Sequence, residues 1–353
     1  MTDALVDYDR AAQHAANPER STPIDPAEIG LALRHIVVPL DGSKIAECVL
    51  PYVAAIARGT AARVTLLQVL EVTGGMPTGR QHIDAVEWEM ARAEAHAYLA
   101  SIATRLAAEQ LSATAELVQG RAAEQITSFA KRESADLIVL ATHGDAGPQP
   151  WTLGGTVQKV IASAPTSMLI VPADEQRASA PLTVRLRRML LPLDCSQRAE
   201  CILPAATELA QHHGADLVLA HVVIEPEMPR RMGPSEEDLE LSRRLVERNR
   251  RAAQRYLRDV QSRLAGVSEH VQVRLCIAPR RAQTLHELAQ REGIDLVILS
   301  AHGSTGDAHQ RYGAVAAEFL QAGYGPVIIL QDLGALMRDE RPANAPRAER
   351  LGA

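Results

Sequence analysis

Arg34-His35-Ile36-Val37-Val38-Pro39-Leu40-Asp41-Gly42-Ser43 reads as a short apolar run that ends in a carboxylate and a turn. The chain repeats it as Arg187-Arg188-Met189-Leu190-Leu191-Pro192-Leu193-Asp194-Cys195-Ser196. A second pair follows each copy. Ala135-Asp136-Leu137-Ile138-Val139-Leu140-Ala141-Thr142-His143-Gly144 is matched by Ile294-Asp295-Leu296-Val297-Ile298-Leu299-Ser300-Ala301-His302-Gly303. The unit is far longer than the roughly 20–50 residues of a solenoid repeat. It is read as a whole domain present twice. Any residue that differs between the copies then marks a difference in chemistry on a shared fold.

Between these landmarks strand and helix patterns alternate. Ile36–Leu40 is a buried strand by its apolar run, and Ser43 can cap the helix that follows. That helix runs to about Arg58, where Gly59 can end it. Val64–Val69, Ala113–Val118, Leu137–Ala141 and Met168–Val171 are the next strands, separated by helices near 85–108, 122–132 and 156–163. The second copy runs through the same series from Met189 to Leu330. Alternation of this kind predicts parallel strands, right-handed crossovers and helices on both faces. Each half is therefore expected to be a five-stranded, doubly wound, Rossmann-like α/β domain. The expected division is a flexible arm over 1–31, a first domain over 32–173, a polar linker over 174–185, a second domain over 186–331 and a polar tail over 332–353.

Length and composition fit this division. The 353 residues suffice for two domains, and 46% hydrophobic with 23% charged residues is globular. Only 3% are aromatic, so the cores must be built from Val, Ile, Leu and Ala. A formal charge of −6 argues against a nucleic-acid surface, which needs a basic face. No apolar run approaches the roughly 18 residues of a membrane span. The four cysteines form no C-x-x-C pair and read as reduced, packed thiols, so the expected setting is the cytoplasm.

In doubly wound sheets ligands bind beyond the carboxyl ends of the strands where the strand order reverses. Here that means the loops after the first and fourth strands, the two places where the repeat is clearest. Asp41 and Asp194 end the first strands and can accept hydrogen bonds from a ligand, or serve as charges at a helix start. After the fourth strands, Gly144 is followed by Gly154-Gly155-Thr156, and Gly303 by Gly313-Ala314. Glycines before a helix let backbone amides approach a phosphate, and the helix start favours negative charge. The G-x-x-x-x-G-K-[ST] loop and the G-x-G-x-x-G turn are missing, which speaks against a Walker-type NTPase and a dinucleotide dehydrogenase. His143 and His302 have no nucleophile beside them and read as hydrogen-bonding groups rather than catalytic bases. His212-His213 reads as a helix end where an imidazolium suits the dipole. Trp151 reads as loop packing. The run from Arg243 to Arg258 reads as a solvated face interleaved with Glu240 and Glu247, with partner binding as the alternative.

Pro-Leu-Asp-Gly-Ser followed by Ala46-Glu47 and Leu50-Pro51, with His-Gly and a glycine ten residues on, resembles the universal stress protein family. The second copy keeps Ala199-Glu200 and Leu203-Pro204. The resemblance covers about 33–172 and 185–331. It implies strand order 3-2-1-4-5 and dimerisation through the fifth strand, between chains or between the two halves. It also implies a G-x2-G-x9-G-[ST] signature in members that bind ATP. Ala141 and Ser300 stand at the first glycine, Gly144 and Gly303 at the second, Gly154 and Gly313 at the third. Gly155 and Ala314 stand where the hydroxyl residue belongs, with Thr156 one place later. The implied ligand set adds Pro39, Val69, His143, Pro192 and Ser304. Asp145, Thr305 and Asp307 bear on the charge near a phosphate. The expected ligand is ATP or another adenine nucleotide with Mg, bound weakly or selectively. The leading expectation is a stress sensor or regulator with an unidentified protein partner. An interaction module with vestigial sites and a slow ATPase are the alternatives.

Overall fold

The computed structural model describes residues 33–71, 85–144, 153–226, 235–265, 270–304, 311–322 and 325–331. The first half runs β1 His35–Pro39, α1 Leu50–Thr60, β2 Arg63–Leu70, α2 Ala85–Ala108, β3 Ala113–Gln119, α3 Ala122–Arg132, β4 Leu137–Ala141, α4 Gly155–Ser163 and β5 Ser167–Val171. A short helix, α5 Glu175–Ala178, leads to the second half. There follow β6 Arg188–Pro192, α6 Leu203–His213, β7 Asp216–Ile224, α7 Glu236–Leu264, β8 Val271–Ala278, α8 Arg281–Arg291, β9 Leu296–Ser300, α9 Ala314–Ala322 and β10 Val327–Leu330.

The strands form one sheet of ten, in the order β3-β2-β1-β4-β5-β10-β9-β6-β7-β8. Each half has the expected order 3-2-1-4-5, the second read in reverse. All pairings are parallel except β5 with β10, where Met168, Leu169 and Ile170 lie opposite Ile329, Ile328 and Val327. The fifth strands thus close on one another within the chain. This buries the two edges that would otherwise present unpaired backbone groups. The antiparallel seam reverses the second half, so the carboxyl ends of the two sets of strands face opposite edges of the sheet.

Near-continuous Val/Ile/Leu strands need cover on both faces. Ile36 and Val38 pack into a core with α1, α2, α6 and α7, whereas Val37 packs on the other face with α3, α4, α8 and α9. Both cores continue across the seam. Leu33, Ile36 and Leu66 belong to one cluster with Met189, Leu191 and Leu219. The segment expected to be a polar linker is held in place: Asp174 caps α5, Ala178 and Leu182 are buried, and Leu182 O accepts from Arg58 Nη1 at 2.8 Å.

Ser43 Oγ accepts from Ala46 N at 3.3 Å at the start of the 3-10 turn Ile45–Val49, which delays α1 to Leu50, and it donates to Asp41 Oδ1. Two local expectations differ from the structure. Gly59 does not end α1, which continues to Thr60 and turns at Ala61 with φ 50°. The glycine is needed because α1 lies against α6: a Cβ at Gly59 would sit 2.9 Å from Leu209 Cδ2. His213 is not an exposed imidazolium at a helix end. It is buried, burial foremost lowers its pKa, and its Nε2 donates to Ala55 O across the seam at 3.0 Å.

The amino ends of the strands carry the structural polar groups. Asp136 Oδ2 accepts from the backbone amides of Arg34 and His35, and Asp295 Oδ2 does the same for Arg187 and Arg188. His35 is buried above Thr65. Its Nδ1 lies between Arg63 Nη2 at 2.9 Å and Glu133 O at 3.2 Å, and its Nε2 is hydrogen-bonded to Thr65 Oγ1 at 2.9 Å. Burial, and behind it the Arg63 charge, lower the His35 pKa. Burial likewise lowers those of His213 and His221. Below the unfolded value of about 6.5 the unfolded chain takes up protons that the folded chain refuses. Stability therefore falls as pH drops through about 6.5, by at most ~1.4 kcal/mol per pH unit for each histidine. Melting temperatures measured from pH 7.5 to 5 should decline, and His35→Gln should flatten the decline. A slope unchanged in His35→Gln removes His35 from this account.

On α7 four arginines of the exposed run are paired with glutamates, as a solvated face requires. Glu240 meets Arg243 and Arg244, and Glu247 meets Arg250 and Arg251.

Candidate functional site

At the carboxyl edge of the first half the chain leaves β1 at Pro39, and Leu40 N still bonds Leu67 O at 2.8 Å. Asp41 then turns its side chain back on its own loop. Its Oδ1 accepts from Ser43 N at 2.9 Å and Ser43 Oγ at 2.6 Å, an Asx turn that fixes the carboxylate. The other oxygen reaches the loop after β4: a Cβ placed on Gly144 would lie 1.7 Å from Asp41 Oδ2. No side chain fits there, which is the physical reason for glycine after His143. The second half repeats the arrangement. Asp194 Oδ1 accepts from Ser196 N and Oγ at 3.0 and 2.5 Å, and a Cβ on Gly303 would lie 2.0 Å from Asp194 Oδ2. That same oxygen accepts from Ser304 N at 2.5 Å. Asp194 thus clips the β6 loop to the β9 loop, with both of its oxygens holding protein groups, and Asp41 lies against the loop after β4 in the same way.

The glycines before the helices close the loops. Gly154 N donates to Thr142 O at 2.8 Å, and Gly313 N to Ala301 O at 2.7 Å. A Cβ on Gly154 would lie 3.2 Å from Thr142 O. Gly155 is the first residue of α4 with open space around it, and Thr156 follows, exposed. The first amides of a helix have no acceptor within it, so this turn offers free donors and a hydroxyl together. In the second half α9 opens on Ala314, and Val315 packs into the core, so neither place carries a hydroxyl.

The structure brings Asp41, His143, Gly144, Gly154, Gly155 and Thr156 to one crevice between β1 and β4. Asp194, His302, Gly303, Ser304, Gly313 and Ala314 meet at its counterpart between β6 and β9. Pro39 and Pro192 are the last residues of β1 and β6, half-buried. Ala141 and Ser300 end β4 and β9, and Ser300 Oγ is turned inward to donate to His302 O at 2.7 Å. Val69 lies one strand further out, near the end of β2, packed on the α3 face. His143 is buried with Nδ1 3.2 Å from Thr142 Oγ1, and burial lowers its pKa, so the ring is neutral beside the loop. Asp145, Trp151, Thr305 and Asp307 lie outside the described residues.

Sequence reading misses the groups beneath the aspartates. Glu47 is buried and pairs with Lys44 at 2.7 Å and with Arg105 of α2. Glu200 pairs with Arg263 of α7 at 2.8 Å. Tyr98 and Tyr256 lie two helical turns before those arginines, on the same face. A signal exists in the repeated Ala-Glu pairs, but their arginine partners come from distant helices.

The halves also differ at the turn itself. Gly42 has φ 89°, and its counterpart Cys195 holds φ 67°. Cys195 Sγ is 3.8 Å from His221 Nδ1, which donates to Leu193 O at 2.7 Å. That proton is committed, so the imidazole cannot accept one from the thiol. Burial, with Asp194 and Glu200 behind it, pushes the thiol up to about 12. Cys195 is neutral at physiological pH and packs rather than reacts.

The sequence model of the Universal stress protein family matches the chain twice, at residues 32–172 and 185–331. The chain is similar to a universal stress protein of Mycobacterium tuberculosis (strain CDC 1551 / Oshkosh), 23% identical over an alignment of 316 residues, with 83% of this chain and 94% of that one covered. It is 26% identical over 138 residues to a universal stress protein of Methanocaldococcus jannaschii, covering 39% of this chain and 81% of that one. Among solved structures, a universal stress protein from Archaeoglobus fulgidus DSM 4304 has a TM-score of 0.57 at 15% identity, over 84% of this chain and 98% of that chain. A putative universal stress protein from Pseudomonas aeruginosa UCBPP-PA14 has a TM-score of 0.58 at 16% identity, over 87% and 98%. Two family matches on two sheet halves with one strand order establish that the chain belongs to the universal stress protein family, with the domain present twice.

Proposed function

We propose that the chain binds an adenine nucleotide, ATP foremost, in the first crevice and acts as a nucleotide-responsive sensor or regulator rather than a turnover enzyme. The observation that carries this reading is the Asp41 carboxylate lying against Gly144, next to the free first turn of α4 with its Thr156 hydroxyl. Glycines let a phosphate reach the backbone, the helix start favours its charge, and Thr156 supplies a hydroxyl one residue beyond Gly155. The residues fit the ligand better in the first half than in the second, where Ala314 and Val315 offer no hydroxyl. A hydrogen bond to a charged group contributes about 1.5–3 kcal/mol, roughly ten- to a hundredfold in affinity. The two family units, 32–173 and 186–331, are read as one working crevice and one degenerate one.

Among the described residues, no group of three or more His, Cys, Asp or Glu side chains is placed to hold a metal ion. Magnesium that arrives with the nucleotide would be held chiefly by the phosphates, as is usual for that ion. No helix among the described residues is long and apolar enough to cross a membrane. A regulatory protein partner and a setting in the cytoplasm belong to the same reading.

Equilibrium dialysis of the full chain with ATP, ADP and AMP tests it. Binding in the micromolar to millimolar range is expected, with Gly154→Val weakening it about tenfold or more, because the branched side chain would press on Thr142 O and screen the first amides of α4. No bound nucleotide at millimolar concentration overturns the reading. A nucleotide-independent interaction module is favoured by one observation: Leu241 and Leu245 of α7 are 66% and 40% exposed. That reading requires Leu241→Ser to change partner capture while Gly154→Val leaves it intact.

A further inference from the structure

Beside Asp41 lies a buried side chain that hydrogen bonding within the protein leaves incomplete. Gln68 of β2 is 8% exposed, and its Oε1 has no hydrogen-bond partner. Burying a carbonyl oxygen without a partner is unfavourable, and such groups are rare unless something else completes them. The amide faces the turn at Gly42: a Cβ on that glycine would lie 3.3 Å from Gln68 Nε2. A second group is in the same condition. The Tyr98 hydroxyl of α2 is buried without a partner, within the electrostatic reach of Glu47 and Asp41. An acceptor and a donor are thus both left open beneath the strand-one carboxylate.

Their place in the sheet is telling. The glycine loops follow β4, Asp41 follows β1, and Gln68 is on β2, just beyond the Pro39–Leu67 pair that ends the β1 ladder. Adjacent strands are about 4.8 Å apart, so the path from the glycine loops over Asp41 to Gln68 spans roughly 10 Å. A nucleotide with its phosphates at α4 and its ribose at Asp41 would bring its base to Gln68.

The second half answers the same positions differently. Cys195 stands for Gly42 and His221 for Gln68. The thiol occupies the space that the glycine leaves open, 3.8 Å from the imidazole. His221 Nδ1 is satisfied by Leu193 O at 2.7 Å. The Tyr256 hydroxyl repeats that of Tyr98, but among the described residues no acceptor like Gln68 Oε1 is left open at this floor.

We infer that Gln68, with Tyr98 behind it, is a specificity-determining floor of the first crevice. It reads a ligand group that both donates and accepts hydrogen bonds, as the amino-pyrimidine edge of adenine does, and Cys195 closes the corresponding floor in the second half. The inference rests on the nucleotide reading above and adds which residues read the base and which half does so. Calorimetric titration of the full chain tests it, with ATP and inorganic tripolyphosphate as probes. One ATP per chain is expected. Gly42→Cys should weaken ATP binding at least tenfold. The turn accepts this change, because Cys195 already occupies it at positive φ. Gln68→Leu should weaken ATP about tenfold and leave tripolyphosphate unchanged, since the phosphates bind two strands away. If Gly42→Cys fails to fold, as read by circular dichroism, Gln68→Leu decides alone. Two equal ATP sites per chain, unchanged ATP affinity in a folded variant, or equal losses for both probes in Gln68→Leu overturn the inference and leave the nucleotide reading standing. No ATP bound to the wild type overturns both.

Discussion

Leu169→Asp is expected to open the seam between the two halves. Leu169 is fully buried at the centre of β5, opposite Ile328 of β10, with helices above and below. A carboxylate there is surrounded by apolar side chains and cut off from water. The cost of such a charge, even after it takes up a proton, is about 4 kcal/mol or more, a large part of the ~5–15 kcal/mol that holds a domain folded. Each half retains its own five-stranded order and most of its own core. The expected result is therefore loss of the junction rather than loss of all structure. Thermal unfolding should split into two steps, and limited proteolysis should begin cutting between 172 and 187. The uncovered β5 and β10 edges should drive association that grows with protein concentration. Leu169→Met, which keeps volume and polarity, should cost under about 1.5 kcal/mol. A single cooperative transition within ~2 °C of the wild type in Leu169→Asp would show that the fifth-strand pair does not hold the halves together.

The second large effect is expected at Gly144. Alanine adds one methyl group, and that methyl falls 1.7 Å from Asp41 Oδ2. The carboxylate must swing away and give up the Ser43 amide and hydroxyl that hold it. Hydrogen bonds to a charged group contribute about 1.5–3 kcal/mol each, so Gly144→Ala should destabilise by about 2–4 kcal/mol. This is opposite in sign to the ~0.4–1 kcal/mol gain that Gly→Ala gives where the site is open. The control is a double-mutant cycle. In an Asp41→Ala background the space is free, and Gly144→Ala should become nearly neutral, a coupling of about 2 kcal/mol between the two positions. Denaturant unfolding of the four proteins measures it. Additive effects would mean that the carboxylate and the glycine are not in contact, and the account of the His-Gly pair would fail with them.

That contact marks the limit of what the sequence discloses. Strand runs such as Leu137-Ile138-Val139-Leu140 are apolar throughout because both faces are covered, and so they are legible in one dimension. Their repetition exposes the duplicated domain, and the landmarks Asp41 and Gly144 fall just beyond strand ends, with Gly154 at a helix start, by their spacing from those runs alone. The role of Asp136 and Asp295 is hidden inside those same landmarks. They sit at the amino ends and accept from the amides of the neighbouring strand, which only strand order puts beside them. Gly59 reads as a helix stop because a glycine punctuates a helix on average. Here a second helix from the other half presses on it. His213 reads as a charge at a helix end, whereas the seam buries it against Ala55.

Two copies of an α/β domain are legible in the order of amino acids alone, because periodicity and composition act locally along the chain. The difference between the copies at the hydroxyl and leading-glycine positions is legible there too. Long-range packing settles that the fifth strands pair within the chain and turn the two crevices to opposite edges. Tertiary contact also put Gln68 beside Gly42 in one half, and Cys195 against His221 in the other. Those outcomes depend on which distant surfaces meet, and burial and hydrogen bonding between distant residues leave no periodic trace in the order of the amino acids.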